Sequence, residues 1–388
     1  MIRFRLSIFA LSVLAIACSS ARVFAIGAQF HGLGDIPGGI TSSTAYGVSA
    51  DGSVVVGGGA PFGADQQATR WTKDEGMSGI GYLPGGLPYS LATAVTPDGQ
   101  TIVGIAQDND GYRAFRRGSN GIMVGLGDLP GGSRHSYAYA TSADGSIITG
   151  QAGSSHGVEA FRWDGSNGMV GLGILPGGSG LSIGYGMTPD GATIVGKSSS
   201  GAGAEGFAWT AVGGMVGLGD LVGGGFDSEA RAISTDGSTI VGQGLSATGY
   251  EAVRWTEGEG IQSLGDLPGG NTWGISYSVS GNGGTIVGSS ISDTGLTAFI
   301  WDSTNGMRSL QDVLVQDFAL GNTLTGWRLS AAFGITPDGR TITGDGVNSD
   351  GHTEAWIVTI PEPSTISLLG FCALLVFRRR RPSLTNEF

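Results

Sequence analysis

Short apolar runs, each closed by glycine or a polar turn, recur along most of the chain. Residues 45–86 set the pattern: "AYGVS", "ADG", "SVVVGG", a polar loop, "QATRW", "TKDEG", "MSGIGYL" and finally "PGG". Short runs rich in Val, Thr and aromatic residues, bounded by Gly, Pro and Asp, predict β-strands rather than helices. The "ADG" step predicts a tight turn, because Gly tolerates positive φ and Asp can bond the backbone. "PGG" predicts a break in the ladder, since Pro has no N–H to donate and Gly permits a sharp bend. The stretch therefore reads as four short strands.

This unit repeats. The phrase around the Asp-Gly turn occurs seven times, with its acid or amide at Asp51, Asp98, Asp144, Asp190, Asp236, Asn282 and Asp338, in steps of 47, 46, 46, 46, 46 and 56 residues. A third-strand phrase follows each by 19 or 20 residues and ends at Trp71, Arg117, Trp163, Trp209, Trp255, Trp301 and Val358. The octapeptide "GLGDLPGG" (125–132) has close copies at 32–39, 171–178, 217–224 and 263–270, and reads as a fourth strand with its exit turn. Four strands per ~45 residues is the period of a β-propeller blade. A β-helix would need shorter units, and a leucine-rich solenoid would show a Leu/Asn ladder. The predicted fold is all-β: a seven-bladed β-propeller of ~46-residue, four-stranded repeats.

The ends of the array predict closure. A fourth-strand copy precedes the first unit, at 32–37, and copies follow units one to six, the last as "SLQDVL" (309–314). None follows "EAWIVTI", so the N-terminal copy is expected to complete the seventh blade and remove a free sheet edge. The ten extra residues of the last step, in "VLVQDFALGNTLTGWRLSAA", predict an inserted rim loop with a helical turn. Strand alternation puts the Asp-Gly and third-to-fourth turns on one face. The second-to-third loops and the "PGG" connections share the other, more variable face. That face carries Tyr112, Arg134, His135, Tyr137 and Trp273 as candidate ligand-binding residues, and acids including Asp108, Asp110, Asp293, Asp345 and Asp350. The Trp column, once per unit, reads as packing between blades.

Composition narrows the function. Glycine reaches 74 of 388 residues without a Gly-X-Y period, which excludes collagen, and 40% hydrophobic content allows a core. Residues 26–360 hold 13 Lys and Arg against 30 Asp and Glu, a net charge of −17. Such a surface excludes nucleic acid as a natural partner and favours neutral polymers or divalent cations. The two cysteines, Cys18 and Cys372, lie outside this body, so it has neither disulfides nor thiolate chemistry.

The termini differ from the body. Residues 1–25 combine Arg3 and Arg5, the apolar run "LSIFALSVLAIAC" and "VFA", the layout of a secretory signal peptide cleaved after Ala25. Lipid modification at Cys18 is the alternative, although Ala15 stands where a bulky aliphatic is usual. At the other end, residues 366–377 are almost all apolar and Arg378, Arg379, Arg380 and Arg381 follow directly. This predicts a short transmembrane segment with its basic end in the cytoplasm.

No catalytic or cofactor motif stands out. "SADGS" offers a single carboxylate, whereas Ca²⁺ needs six to eight oxygens, so it reads as a turn. "DNDG" (108–111) and "NSDG" (348–351) lack the later bidentate Glu of an EF-hand, so no metal site is expected. "GLGDLPGG" lacks the following helix and the Lys-Ser/Thr of a phosphate loop. His31, His135, His156 and His352 are scattered. Acid pairs across the channel would suit glycoside hydrolysis only at the correct separation. The expectation is no catalytic residue and no cofactor, with a hydrolase or lyase acting through acids at the propeller mouth as the alternative.

Together the "DGxxIVG", "EAFRW" and "GLGDLPGG" phrases resemble the HAF-repeat extracellular proteins over residues 32–360. The His of the family's name phrase is replaced here by Gln67, Arg113, Glu159, Glu205, Glu251, Thr297 and Glu354, so no role of that His carries over. Residues 361–388 resemble a PEP-CTERM sorting signal: Pro361, Glu362 and Pro363, then the apolar segment, then the arginine cluster. This resemblance implies recognition by a membrane-embedded exosortase and delivery to the cell surface or matrix. The expected function is a non-enzymatic module binding exopolysaccharide or surface proteins. Its expected domains are 1–25, 26–360 and 361–388, with transient membrane anchoring through the last.

Overall fold

The computed structural model describes residues 27–61 and 66–361. The expected signal peptide at 1–25 and the expected sorting residues Glu362, Pro363, 366–377 and Arg378–Arg381 lie outside the described residues. Among the described residues no helix is long and apolar enough to cross a membrane.

The repeats fold as four-stranded antiparallel sheets in sequence order. The first comprises Ile40–Val48, Val54–Ala60, Gln67–Thr72 and Gly76–Gly79. The next two begin with Ser90–Val95 and Gly131–Thr141. Three further antiparallel groups, beginning with Ser182–Met187, Gly223–Ile233 and Gly269–Val279, form one 12-stranded sheet. The single parallel pairs Ala204–Asp227 and Tyr250–Trp273 join them into that sheet. The last sheet joins Arg328–Ile335, Thr341–Val347 and Thr353–Thr359 to Gln29–Gly32 from the N-terminal side. The first strand of each sheet packs beside that of the next, and Ile40–Val48 packs beside Arg328–Ile335, so the first strands encircle an axis.

One buried serine ties each of several sheets to its predecessor. Ser136 Oγ accepts from Ala114 N at 3.0 Å and donates to Gly127 O at 2.8 Å. Ser90 and Ser182 repeat this with Ala68 and Gly81, and with Ala160 and Gly173. Ser43 makes the same joint across the seam: it accepts from Ala355 N at 3.1 Å and donates to Gly34 O at 2.7 Å. The two ends of the array therefore meet by the same hydrogen bonds that join its interior members.

The core lies between neighbouring sheets. Val103 and Ala114 of the second sheet pack with Ala138, Ile148 and Phe161 of the third. Phe115, Phe161, Phe207, Phe299 and Trp356 are fully buried. They stand two residues before the end of the third-strand phrase, and they, rather than the predicted Trp column, are the deepest anchors. Trp255 and Trp301 are buried, but Trp71, Trp163 and Trp209 lie at the margin of their clusters.

The Asp-Gly phrases are structural turns. Asp144 Oδ1 accepts from Ser142 Oγ at 2.7 Å, Ser146 N at 3.0 Å and Ser146 Oγ at 2.7 Å. Ser142 Oγ in turn accepts from Ile147 N at 2.9 Å. These bonds, led by the Ser142 hydroxyl, hold the Asp144 carboxyl down at about 2. Asn282 makes the corresponding bonds to Ser280 Oγ and Gly284 N through its amide oxygen, so the turn needs an acceptor and not a charge. Gly145, next to Asp144, takes φ 69°, a conformation other residues reach only with strain.

Three sequence expectations need correction. The octapeptide is not the fourth strand: in "GLGDLPGG" only Gly125 belongs to the strand Met123–Gly125, and Gly131 already starts the next sheet, paired with Ser154. Its leucines serve as plugs instead, with Leu126 and Leu129 buried against the neighbouring sheet. Accordingly the closing strand is Gln29–Gly32 and not 32–37, paired antiparallel as Gln29–Thr359, Phe30–Val358, His31–Ile357 and Gly32–Trp356. "SLQDVL" is mostly the helix Leu310–Gln316, capped by Ser309 and buried through Leu310, Val313 and Leu314.

Candidate functional site

Four of the five predicted ligand-binding residues converge. Tyr112 opens a third strand, while Arg134, His135 and Tyr137 lie on the neighbouring first strand, Gly131–Thr141. The Tyr112 and Tyr137 rings stack at 5.7 Å and 27°, Tyr89 meets Tyr112 edge-on at 5.2 Å, and His135 lies 6.3 Å from Tyr112. Arg134 pairs with Asp110, fastening the 108–111 loop to the strand. Beneath the loop, buried Arg113 bonds Asp108 at 2.7 Å and Asp128 at 3.0 Å. The "DNDG" carboxylates are thus spent on arginines and backbone amides. Among the described residues no three His, Cys, Asp or Glu side chains converge to hold a metal.

Trp273 does not join this cluster. It occupies the repeat position of His135 but on a different sheet, where it pairs with Tyr250. Asp293 is elsewhere too, lining a cavity beside the helix with Trp327 and Arg328.

The residues that sequence reasoning missed line the axis. Tyr46, Thr93, Tyr139, Tyr185, Arg231, Tyr277 and Phe333 surround a cavity of ≈ 320 Å³. Each falls where the register of first and second strands slips by one residue, as between Ala45 and Gly47 or Ala138 and Ala140. A β-bulge leaves its extra residue unpaired and re-aims its side chain, here toward the axis. Opposite each bulge stands the Gly of "IVG", where an added Cβ would lie 1.8–2.0 Å from a first-strand carbonyl oxygen. Every belt residue precedes its turn acid or amide by five positions. That fixed offset was the available signal.

The belt is aromatic and electrically balanced. Rings meet at 5.1 Å (Tyr46–Phe333), 4.9 Å (Tyr277–Phe333) and 5.5 Å (Tyr139–Tyr185). The Arg231 guanidinium sits 4.1 Å over the Tyr185 ring and bonds Glu229 at 2.7 Å. Next to it Lys197 pairs with Asp227 at 2.8 Å, and Tyr250 donates to the same Asp227 at 2.7 Å. Burial pushes the tyrosine hydroxyls of Tyr46, Tyr139, Tyr185 and Tyr277 above their ordinary range. Tyr137 of the rim and Tyr139 of the belt lie two residues apart on one strand.

Asp345 is the strained acid of this region. Burial raises its carboxyl from 3.8 to about 6, opposed only by a 3.5 Å hydrogen bond from Thr44. A carboxyl raised in the fold favours the protonated protein, so its stabilising contribution is complete below the unfolded value near 4. That contribution is lost as pH rises to about 6. Asp345→Asn is expected to gain roughly 2–3 kcal/mol over wild type at pH 7.5 and much less at pH 4. Urea unfolding at both pH values checks this, and a pH-independent gap would contradict it.

These features define an all-β protein of propeller-like architecture, with an aromatic cavity on its axis and a second aromatic cluster at Tyr89, Tyr112 and Tyr137. No protein-family model matches the sequence, and neither does any curated protein sequence. Similar solved structures include TolB from Acinetobacter baumannii, at TM-score 0.47 and 17% identity, covering 70% of this chain and 64% of that one. The chain thus spans less than two thirds of that TolB. An oligogalacturonate lyase from Vibrio parahaemolyticus aligns at TM-score 0.46 and 8% identity, covering 87% and 98% of the two chains. The Dos1 propeller aligns at 0.45 and 9%, covering 85% and 94%.

Proposed function

We propose that the chain is an exported HAF-repeat protein, a seven-bladed propeller that binds matrix polysaccharide without chemically altering it. The Tyr89–Tyr112–Tyr137 platform on the rim carries this reading. Rigid, amphipathic tyrosine faces supply contact area at little entropic cost, which suits the apolar face of a sugar ring. Seven four-stranded groups and the repeated serine joint at Ser43 support the closed ring. A net charge of −17 over residues 26–360 favours a neutral polymer over a polyanion. Beside the belt, Glu229 is bound to Arg231 and Asp227 to Lys197, which disfavours the pair of available carboxylates that glycoside hydrolysis uses there.

Purified protein is expected to bind the matrix polysaccharide of its own cells, and Tyr112→Ala to weaken binding by about tenfold, the effect of losing a stacking anchor. Calorimetry that detects no polysaccharide binding by the wild type would refute the reading. Export rests on the terminal signals and the exosortase they would engage. Deleting residues 361–388 should release the protein into the medium, and retention of the truncated chain on cells would rule out sorting by this tail.

A further inference from the structure

We infer that the axial belt is a second binding site, distinct from the rim platform, and that it accepts a single uncharged sugar ring. The first argument is geometric. All seven bulges aim a side chain at the axis, five of the seven are aromatic, and they stop short of filling it. The remaining ≈ 320 Å³ lies at the small end of the roughly 300–1,000 Å³ typical of ligand pockets. A belt serving only to seal the ring would be expected to close this space with interlocking aliphatic side chains.

The second argument is chemical. The hydroxyls of Tyr46, Tyr139, Tyr185 and Tyr277 make no hydrogen bond to any described residue, and none is sealed from solvent. A hydrocarbon ligand would bury them unpaired, at a cost that disfavours it. A polyhydroxylated ring satisfies them while laying its C–H faces on the aromatic rings. The third argument is electrostatic. The one cation of the belt, Arg231, already bonds Glu229, so a carboxylate or phosphate would find no free partner there. Its position over Tyr185 also opposes an organic cation, which would otherwise suit a cage of aromatic faces. An uncharged polyol ring is the ligand that meets all three conditions.

The test titrates the purified chain with glucose, galactose, N-acetylglucosamine and glucuronate, read by calorimetry and by NMR of ring-labelled tyrosine. At least one neutral sugar is expected to bind saturably, with glucuronate weaker by about tenfold or more. The combined variant Tyr139→Phe, Tyr185→Phe and Tyr277→Phe keeps every ring and should fold. It is expected to weaken neutral-sugar binding by about tenfold, the loss of several modest hydrogen bonds. The inference is overturned if no neutral sugar saturates, if glucuronate binds equally well, or if the triple variant binds like wild type. Polysaccharide binding that depends on Tyr112, with no monosaccharide binding, overturns this site alone. Monosaccharide binding in the channel without polysaccharide binding leaves it standing and removes the rim reading.

Discussion

Gly150→Ala is expected to destabilise the protein by about 3 kcal/mol or more, a large effect for one methyl group. The new Cβ would lie 1.8 Å from the carbonyl oxygen of Tyr137 and 3.0 Å from the Cα of Ala138. Both contacts are backbone, so no side-chain rotation relieves them. The first strand must move outward, and the moving segment carries the Tyr139 bulge and the Ser136 joint to the preceding sheet. Gly165→Ala is the control, because a Cβ there meets nothing within 4 Å. Urea denaturation of both variants reads the difference. Equal stabilities would show that the glycine column is incidental.

Removal of the closing strand, residues 28–33, is expected to have a comparable or larger effect. Phe30 is 5% exposed, packed edge-on against Trp327 at 5.1 Å and beside Trp356 at 6.2 Å. Truncating such a ring to Ala costs about 3–5 kcal/mol by itself. Deletion also strips four residue pairs from Thr353–Thr359 and leaves that strand as an unpaired edge. The deleted protein should unfold at lower denaturant and associate through the bare edge, visible by light scattering. A monomer as stable as wild type would mean that the ring does not depend on this strand.

The local devices were legible in the sequence and the long-range ones only partly. The Asp-Gly turn was readable because its hydrogen bonds span two to five residues, as from Ser142 to Ile147. The repeat period gave the four-strand unit, and the unmatched last unit gave closure by an N-terminal strand. The strand itself was misplaced because "GLGDIPGG" copies a phrase whose leucines resemble strand residues. Only pairing with Thr353–Thr359 distinguishes "QFHG" as the strand and Leu33 as a buried plug. The grouping of rim aromatics on adjacent repeats was legible, but their expected loop positions were not met: Tyr112, His135 and Tyr137 belong to strands that extend further than the pattern suggests. Trp273 stands at the repeat position of His135 but on the strand Gly269–Val279, three repeats further on, and so lies apart from that cluster. The axial belt escaped notice because alternation in "AYGVS" cannot reveal a bulge, which exists only when two strands pair out of step.

The most direct measurement is a crystal structure of the protein soaked with a neutral oligosaccharide from its matrix. Seven four-stranded blades, Gln29–Gly32 paired with Thr353–Thr359, and sugar rings lying on Tyr112 and Tyr137 are expected. A ring of six or eight blades, or sugar bound only on the opposite face among the Asp-Gly turns, would contradict this.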